Sequence, residues 1–269
     1  MTSNGEYRHP KCYANIRGGC STTISGEHYI SHSLIKLWTF DDPDLRFQPT
    51  PNYRVPVPIK PKKFVANVLC TTHNNGLSAA DQAALDFAKF LRDIAIRYKN
   101  GAGDWGDAEE VTISGGDFQR WILKLLVTHA AAEVYTLNDV QIRPKIPDVA
   151  VDLLLGNMPW MDGSGMCITR DPSNPQFKMD PFSNIATIIA GDWWGVQPVV
   201  DRRDNTLGGG IVDLAGVSFP LGLMDQRQSD AVEVRPASLT WVRDDVPKTI
   251  HFAWDDGAPH RTATFTMIR

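Results

Sequence analysis

Three of the four cysteines lie within the first 70 residues, in an arrangement that restricts how this part of the chain can fold. Cys12 and Cys20 are separated by seven residues, and Cys70 is followed after two residues by His73. Three thiolates and one imidazole form a Cys3His ligand set suited to tetrahedral zinc. Ordinary buried thiols beside an unrelated histidine are the alternative interpretation, and the spacing alone leaves both open.

Size and composition favour a folded cytoplasmic protein. A chain of 269 residues can bury about three quarters of its surface without disulfides. Its hydrophobic fraction of 42% and charged fraction of 22% argue against wholesale disorder. No apolar run approaches the ~20 residues that cross a bilayer, and the first residues lack the apolar segment of a signal peptide. We therefore expect no membrane partner and no secreted disulfide framework.

Local patterns predict an α+β fold in two parts, with helices supporting a metal-binding module in residues 1–135. Apolar residues at helical spacing predict a helix that begins at Ser78, with Asp81 completing a short capping box, and ends near residue 101. A second helix is predicted over 117–135 and a short third one over 147–155.

The remainder, residues 136–269, is predicted to form a β-rich, sandwich-like domain. Its segments are short, rich in β-branched or aromatic residues and separated by turn residues, which is typical of antiparallel sheets. The predicted strands are 166–169, 185–190, 211–214, 217–221, 239–243, 250–254 and 262–268.

Charge is distributed unevenly along the chain. The net charge is −4, yet residues 1–66 hold nine Lys and Arg against five Asp and Glu. Lys60, Lys62 and Lys63 lie in a proline-rich stretch, residues 49–63, that should be extended. A basic segment on an acidic body can face a polyanion, although such a run is also typical of a solvated loop.

A second pattern lies between and after the two ligand pairs. Glu27 and His28 follow Cys20 in the run ISGEHYIS, while Asn67 precedes Cys70 and Asn74 follows the second pair in LCTTHNNGLS. In this order residues 9–100 resemble the HNH endonuclease family in its zinc-containing, HNN-like variant. More broadly, the chain resembles a group of uncharacterised bacterial proteins with an HNH-like start. The resemblance implies a ββα-metal, treble-clef-like module.

The same resemblance implies roles for individual residues. It makes all four members of the two pairs structural zinc ligands. Glu27 and Asn74 would hold a catalytic cation, Mg²⁺ or another divalent ion, because such ions prefer oxygen ligands. His28 would be the general base, and Asn67 would correspond to the middle asparagine of the motif, completing the catalytic residues.

Two functions are therefore expected from the sequence. One is a metal-dependent nuclease, a hydrolase of phosphodiester bonds, with DNA the favoured substrate by resemblance and Lys60, Lys62 and Lys63 contacting phosphates. The other is a catalytically silent zinc-binding module that engages a nucleic acid or a protein, with the β-rich domain as the surface for a protein partner. The sequence leaves the oligomeric state open.

Overall fold

The structure is a computed structural model, and it describes residues 7–39, 60, 63–98, 103–133, 136–137, 140–141, 145–169, 206–214, 217–224, 232–255, 260 and 262–266. The strand predicted at 185–190 and Lys62 lie outside the described residues. Within the described part, no helix combines the length and the apolar character that a membrane span requires.

Helices and strands are both abundant, which confirms the predicted α+β class. The helices are a 3₁₀ turn at Asn15–Arg17, α1 (His32–Thr39), α2 (Thr71–Asn75), α3 (Ser78–Tyr98), α4 (Gly115–Ala131) and α5 (Asp148–Leu155). The strands are β1 (Ile24–His28), β2 (Val65–Cys70), β3 (Glu109–Ser114), β4 (Thr136–Leu137), β5 (Val140–Gln141), β6 (Gly165–Thr169), β7 (Thr206–Leu214), β8 (Val217–Met224), β9 (Val232–Val234), β10 (Ser238–Arg243), β11 (Val246–Ala253) and β12 (Thr262–Thr266).

An antiparallel pair of strands, β1 and β2, leads directly into α2 and α3. Ile24 pairs with Cys70 and His28 with Val65, with a bulge between Ser25 and Glu27. Because a bulge shifts the side-chain alternation, it re-aims the residues at the end of β1. This hairpin brings residues 24–28 beside the residues before and after Cys70.

The two long helices were predicted from periodicity, but the capping box predicted at the start of α3 does not form. The Ser78 hydroxyl donates to the Asn75 carbonyl, and the carboxylate of Asp81 bonds to side chains of other elements instead of completing a capping box. At the start of α4, in contrast, the Ser114 hydroxyl accepts a hydrogen bond from the Asp117 amide at 3.1 Å, an ordinary N-cap.

A mixed sheet has the strand order β12-β10-β11-β3. Strand β3 runs parallel to β11, with Ile113 beside Phe252, so this sheet crosses the division predicted after residue 135. The second four-stranded sheet, β7-β8-β6-β9, is antiparallel throughout. One hydrophobic core joins the hairpin, the long helices and both of these sheets.

Candidate metal centre and adjoining histidine site

Four side chains from three separate segments converge beside the hairpin. Cys12 and Cys20 come from the turns before β1, Cys70 ends β2, and His73 lies in α2. The distances from the His73 Nδ1 atom to the sulfurs are 3.4 Å for Cys12, 3.8 Å for Cys20 and 3.2 Å for Cys70. All four ligand atoms lie within 4.8 Å of one another.

Backbone hydrogen bonds hold these segments together. The Tyr13 amide donates to the Val68 carbonyl at 2.9 Å, which ties the first cysteine turn to β2. The Thr71 amide donates to the Thr23 carbonyl at 3.0 Å, which ties the start of α2 to the residue before β1. The long separation between the two ligand pairs along the chain is therefore closed by strand pairing.

The geometry matches a tetrahedral metal. With metal–sulfur bonds of about 2.3 Å and metal–nitrogen bonds of about 2.0 Å, tetrahedral coordination separates sulfur from nitrogen by roughly 3.5 Å. The observed separations of 3.2–3.8 Å bracket that value. Cys12, Cys20, Cys70 and His73 can therefore bind one metal ion, which confirms the cluster predicted from their spacing.

The local electrostatics prepare Cys70 and His73 for a cation and oppose ionisation of Cys12. Burial raises the pKa of the Cys12 thiol to about 12. Burial also opposes ionisation of Cys70, but hydrogen bonds from the His73 and Ser21 backbone outweigh it and lower the pKa of that thiol. Burial lowers the pKa of His73, so its ring is neutral and ready to ligate. A bound divalent cation would stabilise the thiolate that burial disfavours at Cys12.

His28 ends β1 with a half-buried ring. Its Nε2 atom is buried and has no hydrogen-bond partner among the described residues, while its ring stacks on His32 at a centroid distance of 4.6 Å. Burial, helped by the positive charges that His32 and Lys124 can carry, lowers the pKa of His28 to about 4. His28 is therefore neutral at physiological pH and has a nitrogen available for a proton or a ligand.

Asn74 also has an atom without a partner. Its Nδ2 group donates to the Ser25 hydroxyl at 2.9 Å, which orients the amide across the start of the hairpin. Its Oδ1 atom is buried and accepts no hydrogen bond from the described residues. Buried polar atoms in native proteins usually have a protein, water or ion partner, so this oxygen marks a place for one.

Glu27 has an internal partner. Its carboxylate lies 2.8 Å from the Nζ atom of Lys124 in α4, and the side chain is only 5% exposed. Burial raises the pKa of Glu27, and the charge of Lys124 partly opposes that change. As a ligand for a catalytic cation, Glu27 would have to exchange this ammonium group for the ion.

The other predicted site residues that the structure describes lie on the surface. Asn67 is exposed on β2, opposite the bulge of β1. It does not bond to the buried Nε2 atom of His28, which has no hydrogen-bond partner in the described part of the chain. Lys60 and Lys63 are exposed.

Sequence reasoning missed the residue beneath the hairpin, Lys124. Its side chain is 4% exposed, and burial would lower its pKa, but the carboxylates of Glu27 and Asp81 more than compensate and raise it. The available signal was a lysine inside the apolar run WILKLLV of a helix with few polar residues on its buried side. Periodicity places such a residue near the core but does not name its partners.

Comparison with known proteins finds no match: no family model, no curated protein and no solved structure is significantly similar to this chain. The candidate site therefore has to be interpreted from its own residues.

Proposed function

We propose that this protein is a metal-dependent nuclease of the HNH type, with a structural zinc ion in the cluster of Cys12, Cys20, Cys70 and His73. One observation carries the proposal: a neutral histidine with an unpartnered nitrogen lies at the end of the hairpin that this cluster anchors. Zinc is the ion favoured by three sulfur ligands and one imidazole at tetrahedral distances. Because all four positions are filled by protein, zinc would have a structural role.

In this proposal His28 acts as the general base. Its Nε2 atom would take a proton from water, whose oxygen attacks phosphorus while the bond from phosphorus to the leaving oxygen breaks. A divalent cation held by the Oδ1 atom of Asn74 and by water would supply charge neutralisation on the phosphate. The hydrogen bond from the Asn74 Nδ2 group to the Ser25 hydroxyl orients the amide, so that its Oδ1 atom points away from Ser25.

The substrate would be a nucleic acid, and DNA is favoured by the family resemblance. Lys60 and Lys63 would contact the phosphate backbone from the segment that precedes β2. Such contacts give affinity that does not depend on sequence and that falls steeply with salt.

A catalytically silent zinc-binding module is the second candidate, and the ion pair of Glu27 with Lys124 favours it. The carboxylate that would bind a catalytic cation is neutralised internally in this arrangement. In a silent module the same hairpin would serve recognition alone, and His28 would be a buried neutral side chain.

Plasmid nicking by the His28→Ala variant separates these two functions. We expect the parent protein with Mg²⁺ to nick supercoiled plasmid, and His28→Ala to reduce the rate by at least the ~100-fold typical of a lost general base. Zinc content and melting temperature should stay nearly unchanged, since His28 is outside the metal cluster. His251→Ala is the matched control, because His251 is an exposed histidine on β11.

Two results would contradict the nuclease. No Mg²⁺- or Mn²⁺-dependent nicking by the parent protein, or equal nicking by His28→Ala, would leave the silent module as the function. Loss of zinc from His28→Ala would instead make His28 a structural ligand.

A further inference from the structure

A largely buried polar network lies beneath the His28 segment and joins β1, α3, α4 and the residue before α1; the Lys124 and Glu27 side chains are 4% and 5% exposed, and that of Asp81 is 29% exposed. The Nζ atom of Lys124 in α4 lies 2.8 Å from a carboxylate oxygen of Glu27 and 2.8 Å from one of Asp81 in α3. The other oxygen of Asp81 accepts a hydrogen bond from the Ser31 hydroxyl. The indole Nε1 of Trp121, one turn before Lys124, donates to the Ser31 oxygen at 3.0 Å.

This network bonds to the chain on both sides of His28. Glu27 comes immediately before the histidine, and Ser31 comes three residues after it, at the entry to α1. Glu27 is 4% exposed and Ser31 is 6% exposed, so both anchors are inside the protein. The Nε2 atom of His28 makes no hydrogen bond to the described residues, so its orientation depends on its two flanks and on the stacked ring of His32.

Stability is a poor explanation for such a network. Apolar side chains of similar volume usually stabilise a core at least as well as a buried ion pair, because desolvating charges costs several kcal/mol. What a hydrogen-bonded network does supply is one defined geometry, since each partner restricts the others. Here the geometry that it defines is the path of residues 27–31.

We propose that Ser31, Asp81 and Lys124 are positioning residues for His28, so that helices α3 and α4 complete a site whose reacting groups all lie on the hairpin and α2. The inference rests on the proposed function for its catalytic consequence, but not for the orientation of the ring. A hairpin folded around zinc without these two helices would hold His28 in several orientations.

Ser31→Ala is the most specific variant, because it removes the hydrogen bonds of the Ser31 hydroxyl with Asp81 and Trp121 without leaving an unpaired buried charge. We expect kcat for plasmid nicking to fall at least tenfold, with KM within twofold of the parent and zinc content unchanged. Asp81→Asn, which weakens the contacts to Ser31 and Lys124 together, should have an effect at least as large. Ser33→Ala, two residues further along α1, is the matched control and should leave kcat unchanged.

A second measurement does not need nuclease activity. Modification of histidines by diethyl pyrocarbonate, followed by mass spectrometry, reports the accessibility of the His28 ring. We expect the rate at His28 to rise at least threefold in Ser31→Ala and to stay constant at His251, the reference in the same molecule. Unchanged kcat and unchanged reactivity in both variants would overturn the positioning role.

The two arms distinguish the two proposals. If the parent protein does not nick DNA but the reactivity of His28 changes, the proposed function fails and the positioning role stands. If His28→Ala abolishes nicking while Ser31→Ala and Asp81→Asn match the parent in both measurements, the function stands and the positioning role fails.

Discussion

Two regions contact helix α4 in different ways. One is the hairpin region, residues 7–39 and 63–75, and the other is the mixed sheet of β3 and β10–β12. The first half of α4 meets the sheet through apolar contacts: the Phe118 and Phe252 rings lie 5.8 Å apart. The second half meets the hairpin through polar and charged groups, among them the 2.8 Å contact of Lys124 with Glu27. One helix thus contacts the sheet through apolar side chains and contacts the hairpin partly through charged ones.

Each region is stabilised by a different kind of interaction. The sheet buries Leu239, Trp241 and Ile250 completely, and burial of each such side chain contributes about 1.5–3 kcal/mol. The hairpin region buries three cysteines and a polar network in addition to apolar side chains such as Leu34 and Leu69. We therefore expect the sheet to tolerate metal removal and the hairpin to depend on it.

Loss of a metal ligand should give the largest effect. Cys70→Ser should release the metal and unfold the hairpin, because binding of structural zinc contributes about 10 kcal/mol or more to folding of such modules. Hydrogen exchange should become fast in β1 and β2 while β10 and β11 stay protected. Cys167→Ala, a buried cysteine of β6 outside the cluster, is the control and should retain the metal. Slow exchange in β1 of a metal-free Cys70→Ser protein would break the comparison.

Acid should weaken the contact between α4 and the hairpin next. His129 is buried beside Tyr29, and burial lowers its pKa to about 4. The unfolded chain takes up this proton near pH 6.5, so stability present above that pH is lost as the pH falls towards 4. The expected loss from His129 alone is about 3 kcal/mol, obtained from denaturant unfolding between pH 7 and 4 as the difference between the parent and a variant that lacks this group.

The matching variant is His129→Asn, which retains a side-chain group that can donate to the Leu125 carbonyl but does not titrate. Its stability should depend less on pH than that of the parent over the same range. Equal slopes in the two proteins would assign the acid sensitivity to other groups.

A methyl group at the start of α4 should test the sheet contact. A Cβ atom on Gly115 would lie 2.7 Å from the Trp254 indole, whose Nε1 is held by the Pro236 carbonyl at 2.9 Å. Gly115→Ala should therefore cost about 2 kcal/mol through overpacking. Gly116→Ala has open space around its Cβ and should stay within about 0.5 kcal/mol of the parent. Thermal unfolding of the pair measures the difference, and equal stabilities would mean that the indole moves freely.

The smallest effect is expected for the exposed lysines before β2, and it should appear only in DNA binding. Replacing Lys60 and Lys63 by Gln should weaken DNA binding for all sequences alike and reduce the slope of log affinity against log salt by about 2. Folding stability should not change, because both side chains are exposed. Lys89→Gln with Lys145→Gln, also exposed, is the control pair. A salt slope equal to that of the parent would make the segment before β2 a solvated connection.

Much of the local structure was predictable from short-range patterns. The helix predicted from Ser78 is α3 (Ser78–Tyr98), and the one predicted over 117–135 corresponds to α4 (Gly115–Ala131). The helix predicted over 147–155 is α5 (Asp148–Leu155), and the residue after it, Gly156, has a φ of 73°, the left-handed cap that glycine adopts most easily. Periodicity and capping act between neighbouring residues, so a sequence displays them directly.

The sequence by itself predicted the candidate ligands of the metal cluster and the α+β class, because the ligand types and the spacing within each ligand pair are local, and it left open whether the two pairs meet. Tertiary structure alone decided that β3 pairs with β11 and that Glu27 forms an ion pair with Lys124. It also decided that Asp81 accepts a hydrogen bond from Ser31 instead of capping α3. Residues 27 and 124 are far apart in the chain, and no local preference selects one buried charge for another. Only the packing of α4 under the hairpin brings them within 2.8 Å, where the ammonium group of Lys124, shared with Asp81, compensates the buried carboxylate.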